Sequence, residues 1–551
     1  MANSVSYKLP LEMLYHWEKV SPNHVYLRQP LPGKGYQDLT YGEVAGQVRR
    51  MASALKAKQL PPKSHIGILS KNCAHWIMAD YAIWMAGHVS VPLYPNLNQS
   101  TVEQILRHSD CKLAFVGKLD DVAAYRKGVP EGVPCIAFPY HEVQAAEKWD
   151  DLLKSNPPMT ENVTRSMEEL ATLIYTSGTT GEPKGVMHSF ASFAVAGTEI
   201  LKVIPMYQSD RFFSYLPLAH VAERILVEAL SLYGGATVAF AESLDTFQQN
   251  LQTIQPTIFL SVPRLYQKFQ AGILAKVPQK KLSFLLSLPI ISGLIKKKLK
   301  AALGLSHARL VITGAAPTPK SVIDWFLKIG IEIQEAYGMT ENFAFSHFNR
   351  NGEVRIGTVG TQWPRVDTRI AEDGEIQIAT ACDFLGYYKS ASPRSDFFAG
   401  EYFKTGDRGE IDSDGYLRIT GRTKDLFKTS KGKYIAPSPI ESKLSVCEHL
   451  EVVCVVGANF AQPFALGMLN PNAKKLKRDQ VSADLTALVE KVNATLDPHE
   501  RICKVVVVKD DWTVESGALT PTMKVKRAFI ESKYGGQFET WVKHNDRIAW
   551  E

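Results

Sequence analysis

Between Tyr41 and Thr420, short apolar runs rich in β-branched and aromatic residues alternate with longer stretches of helical period: HIGILS (65–70), LAFVG (113–117), TVAFA (237–241), TIFLSV (257–262) and LVITG (310–314). A brief, unbroken apolar run closed by Gly, Pro or Ser is the pattern of a strand buried on both faces. Its alternation with helical stretches predicts an α/β architecture. Loops leaving the strand ends of such sheets are the usual places for ligands. The pattern changes after Gly421. Residues 419–437 (ITGRTKDLFKTSKGKYIAP) crowd Lys and Arg around two glycines, and the tail beyond has its own strands, EVVCVVG (451–457) and KVVVVKD (504–510), with a helix-like stretch between them. This predicts a large N-terminal α/β domain of several subdomains with buried sheets over 1–421. A hinge follows at 422–435, then a small, mobile α+β domain over 436–551.

One run stands apart. LSFLLSLPIISGLI (282–295) is almost continuously apolar, with Lys280 and Lys281 before it and Lys296, Lys297 and Lys298 after it. It is shorter than the ~20 residues a membrane-spanning helix needs. It predicts either an amphipathic or buried helix interrupted at Pro289, or a patch whose basic flanks meet anionic headgroups while apolar side chains reach the acyl boundary. The net charge of +7 over 551 residues favours small anionic ligands such as nucleotides without amounting to a nucleic-acid grip. Seven scattered cysteines form no C-x-x-C pair, so neither a disulfide framework nor a structural zinc site is expected. Met1–Pro10 lacks the basic-then-apolar order of a secretory signal. The expected location is the cytoplasm, with peripheral contact at the inner face of a membrane through 282–298 as an added option. Oligomeric state is not legible from the sequence.

The stretch richest in chemistry is LIYTSGTTGEPKGVMHS (173–189). Its closely spaced glycines let backbone N–H groups approach an anion, Thr176, Ser177, Thr179 and Thr180 add hydroxyls around Gly178, and Lys184 adds a point charge. Together these suit polyphosphate. It is not a Walker A loop, because Gly185 follows Lys184 where Ser or Thr is needed. On residue chemistry alone, a flexible loop explains it as well.

TSGTTGEPKG resembles the signature loop of the adenylate-forming (AMP-binding, acyl-CoA synthetase/luciferase) superfamily. Further segments resemble the same family in the same order: Leu39-Thr40-Tyr41-Gly42-Glu43, VPLYPN (91–96), LPLAHVAER (216–224), GAAP (314–317), EAYGMTE (335–341), YFKTGD (402–407), the 419–437 segment and LTPTMKVKR (519–527). The resemblance covers nearly the whole chain. It is closest to long-chain fatty acyl-CoA synthetases through SVPRLYQKF (261–269), LPLAHVAER and KTSKGKYIAP.

The resemblance implies roles, to be set beside blander readings. Gly314, Ala315, Ala316, Glu335, Ala336, Tyr337 and Gly338 would border the nucleotide. Thr340 would bond the α-phosphate and Glu341 would hold Mg²⁺, which prefers hard carboxylate oxygens. Out of context, Thr-Glu reads as a helix cap. Asp407 and Arg422 would grip the ribose, a carboxylate accepting both hydroxyls and a guanidinium donating in a fixed fork. A Gly-Asp turn is otherwise a common loop device. His220, readable alone as a structural histidine, would lie beside the substrate carboxylate and position it, since a carboxylate already ionised at neutral pH needs no base. Lys524 matches the adenylation lysine, with Lys526 as the fallback; many relatives carry Gly where Met523 precedes it here. Lys424 would be the hinge residue, and Lys428, Gly432 and Lys433 would lie on the loop that replaces Lys524 after domain rotation. Relatives often carry Thr-His and a nearby Asn after the phosphate loop. Here His188 is followed by Ser189, Phe190, Ala191 and Ser192, an aromatic and apolar run near the expected acyl entrance.

The implied reaction is ATP-dependent activation of a fatty acid, with a long chain expected, to acyl-AMP, followed by transfer to coenzyme A. ATP, Mg²⁺ and coenzyme A would be required. The alternatives are a ligase for another hydrophobic or aromatic acid, a free-standing ligase that loads a carrier protein, and a non-catalytic nucleotide- or acyl-binding protein.

Overall fold

The computed structural model describes residues 6–140, 143, 145–177, 183–520 and 522–551. Gly178, Thr179 and Thr180 of the expected phosphate loop lie outside the described residues.

Two large sheets dominate the N-terminal domain. One runs Glu147–Lys148, Cys135–Ala137, Leu113–Val116, His65–Leu69, Val89–Leu93, Leu170–Ser177, Pro183–Ser189, and only its last pair is antiparallel. The other is nine-stranded and places Arg211–Ser214, Thr237–Phe240, Ile258–Ser261, Leu310–Thr313 and Ile333–Tyr337 in a parallel centre. Three of these central strands, Thr237–Phe240, Ile258–Ser261 and Leu310–Thr313, are apolar runs read from the sequence, and those three are buried along their whole length. A shared core joins both sheets to helices Tyr41–Ala57, Ala74–Met85 and Phe190–Val203. Ala74–Met85 buries nearly every side chain, as a helix apolar all round must.

The alternating pattern fails between 366 and 422. Here Val366–Ile370, Glu375–Thr380, Phe398–Ala399, Tyr402–Ile411 and Leu417–Arg422 form an antiparallel sheet with no helix crossovers. The physical cause is local: Tyr402–Ile411 buries alternate residues at Phe403, Thr405 and Asp407, and the strands turn through Gly374 and Gly415 at positive φ, so short hairpins replace crossovers.

The C-terminal domain is a four-stranded sheet of Leu450–Val456, Phe464–Leu469, Val505–Val508 and Ile548–Trp550. Helices Pro437–Leu444 and Arg478–Asn493 cover one face; Arg527–Tyr534 and Phe538–Lys543 cover the other. The all-valine strand shows why it is so apolar: Val505 and Val507 enter one core, Val506 and Val508 the other. This domain leans on helix Pro263–Lys276, where Arg264 pairs with Glu451 and Gln267 Nε2 donates to the Ser445 carbonyl at 3.1 Å. The apolar 282–295 run forms two helices, Gln279–Ser287 and Pro289–Leu303, broken at Pro289 as expected, because proline fits only the first turn of a helix. Among the described residues no helix is long and apolar enough to cross a membrane.

Candidate active site

Strand Ile333–Tyr337 delivers Gly338 and then a single turn, Thr340–Asn342, in which the Asn342 side chain accepts from the Met339 N–H at 2.9 Å. A Cβ on Gly338 would lie 2.6 Å from the Ala344 backbone, so only glycine lets the chain fold back this closely. His188 fixes the turn from beneath: its Nε2–H donates to the Thr340 carbonyl at 2.6 Å, and its Nδ1 is 3.1 Å from the Ser192 hydroxyl. Burial pushes this imidazole down to about 4, so it is neutral and can keep that arrangement. The Glu341 carboxylate accepts from the Tyr387 hydroxyl at 2.7 Å. The Lys184 ammonium lies over the same tyrosine ring, 5.3 Å from its centre, and Lys184 pairs across the hairpin with Thr176.

Beside this turn, Asp407 receives Arg422 Nε at 2.8 Å on one oxygen and the Tyr337 hydroxyl at 2.7 Å on the other. The pair sits in register on adjacent strands of the antiparallel sheet. Gly314 packs against the Ala336 carbonyl, and Ala315 next to it holds a left-handed φ of +66°, strain of the kind that gathers at ligand-facing turns. Burial pushes Glu335 up to about 7.

His220 caps helix Val221–Glu223: its Nδ1 accepts from the Ala222 N–H at 3.1 Å, leaving the ring proton on Nε2. Burial, and then Lys524, push it down to about 4, so it is neutral throughout the physiological range. Next to it, Glu223 accepts from the Ser214 hydroxyl at 2.7 Å and Asn72 Nδ2 at 3.3 Å, and burial pushes it up to about 8. A native acid that keeps a proton the unfolded chain has lost destabilises the fold progressively from about pH 4.5 to about 8. Glu223→Gln removes that proton. Its melting temperature should match wild type near pH 5 and exceed it near pH 9; a parallel pH dependence in both proteins would sink the assignment.

Lys524 arrives from the C-terminal domain. Thr520 N–H donates to the Lys524 carbonyl at 2.8 Å and Met523 N–H to the Thr520 carbonyl at 2.8 Å, so the lysine sits on a tight turn. Met523 there has φ +63°, which explains why glycine suits that position. Lys524 is exposed to solvent, yet neighbouring protein crowds its side chain. That setting pushes its pKa down, first by burial and then by Arg422, while Asp407 and Glu341 oppose the shift. Lys524, Glu341, Asp407, Arg422 and His220 therefore lie within electrostatic reach of one another, although they come from five separate segments.

Other expected residues lie elsewhere. Lys428, Gly432 and Lys433 are exposed on the C-terminal hairpin Phe427–Lys428/Tyr434–Ile435, with the Lys428 ammonium over Tyr434, and Lys424 is exposed in the turn after Arg422. Phe190 is fully buried, packed edge-on to Trp84 and covered by the Arg165 guanidinium. Tyr387 was missed in the sequence because nothing in LGYYKS distinguishes it; only the fold brings it to Glu341.

Among the described residues no cluster of three or more His, Cys, Asp or Glu could cage a metal. A single carboxylate with one oxygen hydrogen-bonded fits Mg²⁺, which keeps water and phosphate in most of its positions.

The chain matches the model of the AMP-binding enzyme family over residues 14–388 and that of the AMP-binding enzyme C-terminal domain over 424–545, and it belongs to that family. It is accordingly an enzyme, an acid–thiol ligase, and enzymes of this family use ATP, Mg²⁺ and coenzyme A. It is 29% identical to the long-chain-fatty-acid–CoA ligase FadD15 of Mycobacterium bovis, with 96% of each chain covered. It is likewise 29% identical to long chain acyl-CoA synthetase 2 of Arabidopsis thaliana, covering 91% of this chain and 86% of that one. In fold it matches the adenylation domain of a carboxylate reductase from Mycobacterium chelonae, with a TM-score of 0.82 at 20% identity over 97% and 91% of the two chains. It also matches the anthranilate CoA ligase AuaEII, solved with anthranoyl-AMP, with a TM-score of 0.77 at 21% identity over 96% and 97%.

Proposed function

We propose that the protein activates a long-chain fatty acid as its adenylate and passes the acyl group to coenzyme A. The observation that carries this reading is the convergence of Lys524 with Glu341, Asp407 and His220 across the two domains. The choice of a long-chain acid rests on the names of the relatives that match along most of their length.

In the first half-reaction a substrate carboxylate oxygen bonds the α-phosphorus, the bond to the β-phosphate breaks, and pyrophosphate leaves. Lys524 offers its ammonium where carboxylate and phosphate meet, neutral His220 orients the acid, and Asp407 with Arg422 holds the ribose against Tyr337. Thr340 bonds the α-phosphate and Lys184 the outer phosphates. Glu341 would hold Mg²⁺, whose chemistry is to neutralise phosphate charge. In the second half-reaction the thiol sulfur bonds the acyl carbon, its proton departs, and the bond to the AMP oxygen breaks. AMP is needed because a carboxylate is otherwise a poor electrophile.

Residues 422–435 act as the hinge between domains over 1–421 and 436–551, pivoting at Lys424, and the Lys428–Lys433 hairpin takes the place of Lys524 for the second step. Lys524 points into the cleft and that hairpin is exposed, which supports an adenylating orientation here. The pair Arg264–Glu451 belongs to this orientation and must open on rotation. Partly exposed pairs contribute at most about 1 kcal/mol, so Arg264→Glu should slow ATP–pyrophosphate exchange about two- to fivefold without slowing thioester formation from synthetic acyl-AMP. Restoration by Glu451→Arg in the same chain completes the test, and equal loss in both half-reactions would remove the orientation argument.

The overall reading is tested by pyrophosphate release with ATP and Mg²⁺ across acetate, octanoate, palmitate, oleate and benzoate, with and without coenzyme A. Fastest coenzyme A-dependent turnover on palmitate or oleate is expected. Benzoate as the best acid would transfer the site to aromatic substrates, and adenylate without thioester would indicate a carrier-protein acceptor.

A further inference from the structure

Three successive helices, Pro263–Lys276, Gln279–Ser287 and Pro289–Leu303, contain Arg264 and eight lysines but no Asp or Glu. More than the chain's whole positive excess of +7 is therefore concentrated on one layer of the molecule. The second and third helices form a hairpin. Their inner side chains, Leu282, Leu286, Ile295 and Leu299, pack on the core of the nine-stranded sheet. Their outer side chains do not: Phe284 is 64% exposed, Ile290 85%, Ile291 40% and Leu294 60%, all clustered around the turn at Leu288–Pro289. Among the described residues the other exposed large apolar side chains are scattered along the chain, as is normal for a water-facing surface.

The charges are spaced to match. Lys280 and Lys281 start the second helix, and Lys297 and Lys298 lie about 10 Å along the third from Ile290, at 1.5 Å per residue. An apolar tip with a basic collar about 10 Å behind it has the dimensions of an element seated in a bilayer interface, where apolar side chains go 5–10 Å deep, to about the headgroup boundary. A polypeptide partner would leave the collar needing a matching ring of carboxylates; an anionic lipid surface supplies negative charge on every side.

We propose that this hairpin tip docks on an anionic lipid surface, with Phe284, Ile290, Ile291 and Leu294 in the acyl boundary and the flanking lysines at the headgroups. This stands apart from the choice of substrate acid and is tested without turnover.

The full chain is sedimented with vesicles of phosphatidylcholine alone and of phosphatidylcholine mixed with phosphatidylglycerol, at low and high salt. Binding to the mixed vesicles is expected to be at least about tenfold stronger than to phosphatidylcholine alone and to weaken with salt. The pair Ile290→Ser with Leu294→Ser should weaken it by about tenfold or more through lost apolar burial. Lys297→Glu with Lys298→Glu should weaken it at least as much through lost charge, and both pairs should keep the wild-type melting temperature because these side chains face solvent. Absence of wild-type binding to mixed vesicles overturns the proposal, as does equal binding by the variants. Size-exclusion chromatography supplies a further decisive outcome: a wild-type dimer dissolved by Ile290→Ser with Leu294→Ser would make the tip a contact between copies instead.

Discussion

Lys524→Ala should lower ATP–pyrophosphate exchange by about 10²–10³-fold while leaving conversion of synthetic acyl-AMP to thioester near wild type. The magnitude is that of removing one preorganised charge from the point where negative charge builds in a water-poor site, about 3–4 kcal/mol. The asymmetry follows from position. Lys524 is carried by the turn Thr520–Lys524 of the C-terminal domain, and its electrostatic partners, Arg422, Asp407, Glu341 and His220, belong to the proposed nucleotide site. In the proposed rotation those partners would stay behind. Lys526, two residues on, has its backbone N–H bonded to the Ala518 carbonyl and begins the next helix, so Lys526→Ala should cost little in either half-reaction. A large loss in Lys526→Ala with a small one in Lys524→Ala would transfer the adenylation role. Equal losses in both half-reactions for Lys524→Ala would mean that the turn supports the domain rather than the chemistry.

What could be read in the chain followed from how local each signal was. The parallel strands were visible because burial on both faces forces unbroken apolar runs, and the break at Pro289 because proline has few places in a helix. The antiparallel sheet at 366–422 is less visible, because its longest strand, Tyr402–Ile411, buries alternate residues and so has no unbroken apolar run. The site residues were legible only through resemblance, since Thr340, Glu341, Asp407 and His220 each have an ordinary structural explanation in isolation. Tyr387 and His188 illustrate the remainder. One bonds Glu341 from 46 residues away and the other bonds the Thr340 carbonyl from 152 away, and no local pattern encodes a contact made by the fold.

Gly338→Ala should be the most damaging single methyl group in the site. Its Cβ would lie 2.6 Å from the Ala344 Cα and carbonyl carbon and 2.7 Å from the carbonyl oxygen, all backbone atoms that no rotamer change can move aside. Ala344 N–H already donates to the Met339 carbonyl at 2.8 Å, so the two strands of this turn can separate only by breaking that bond. The turn carries Thr340 and Glu341, which would shift relative to His188 and Tyr387. Overpacking of this kind costs about 1–3 kcal/mol of stability, and a displacement of about 1 Å at a reacting centre costs about 10²-fold in rate. The melting temperature should therefore fall modestly and pyrophosphate exchange steeply. Gly46→Ala is the control: that glycine lies within helix Tyr41–Ala57 with nothing within 4 Å of its added Cβ, so alanine there should raise stability by about 0.5–1 kcal/mol and leave exchange unchanged. Wild-type exchange in Gly338→Ala would mean that the placement of Thr340 and Glu341 tolerates the very displacement this fold is built to prevent, and their assignment to phosphate and Mg²⁺ would fall with it.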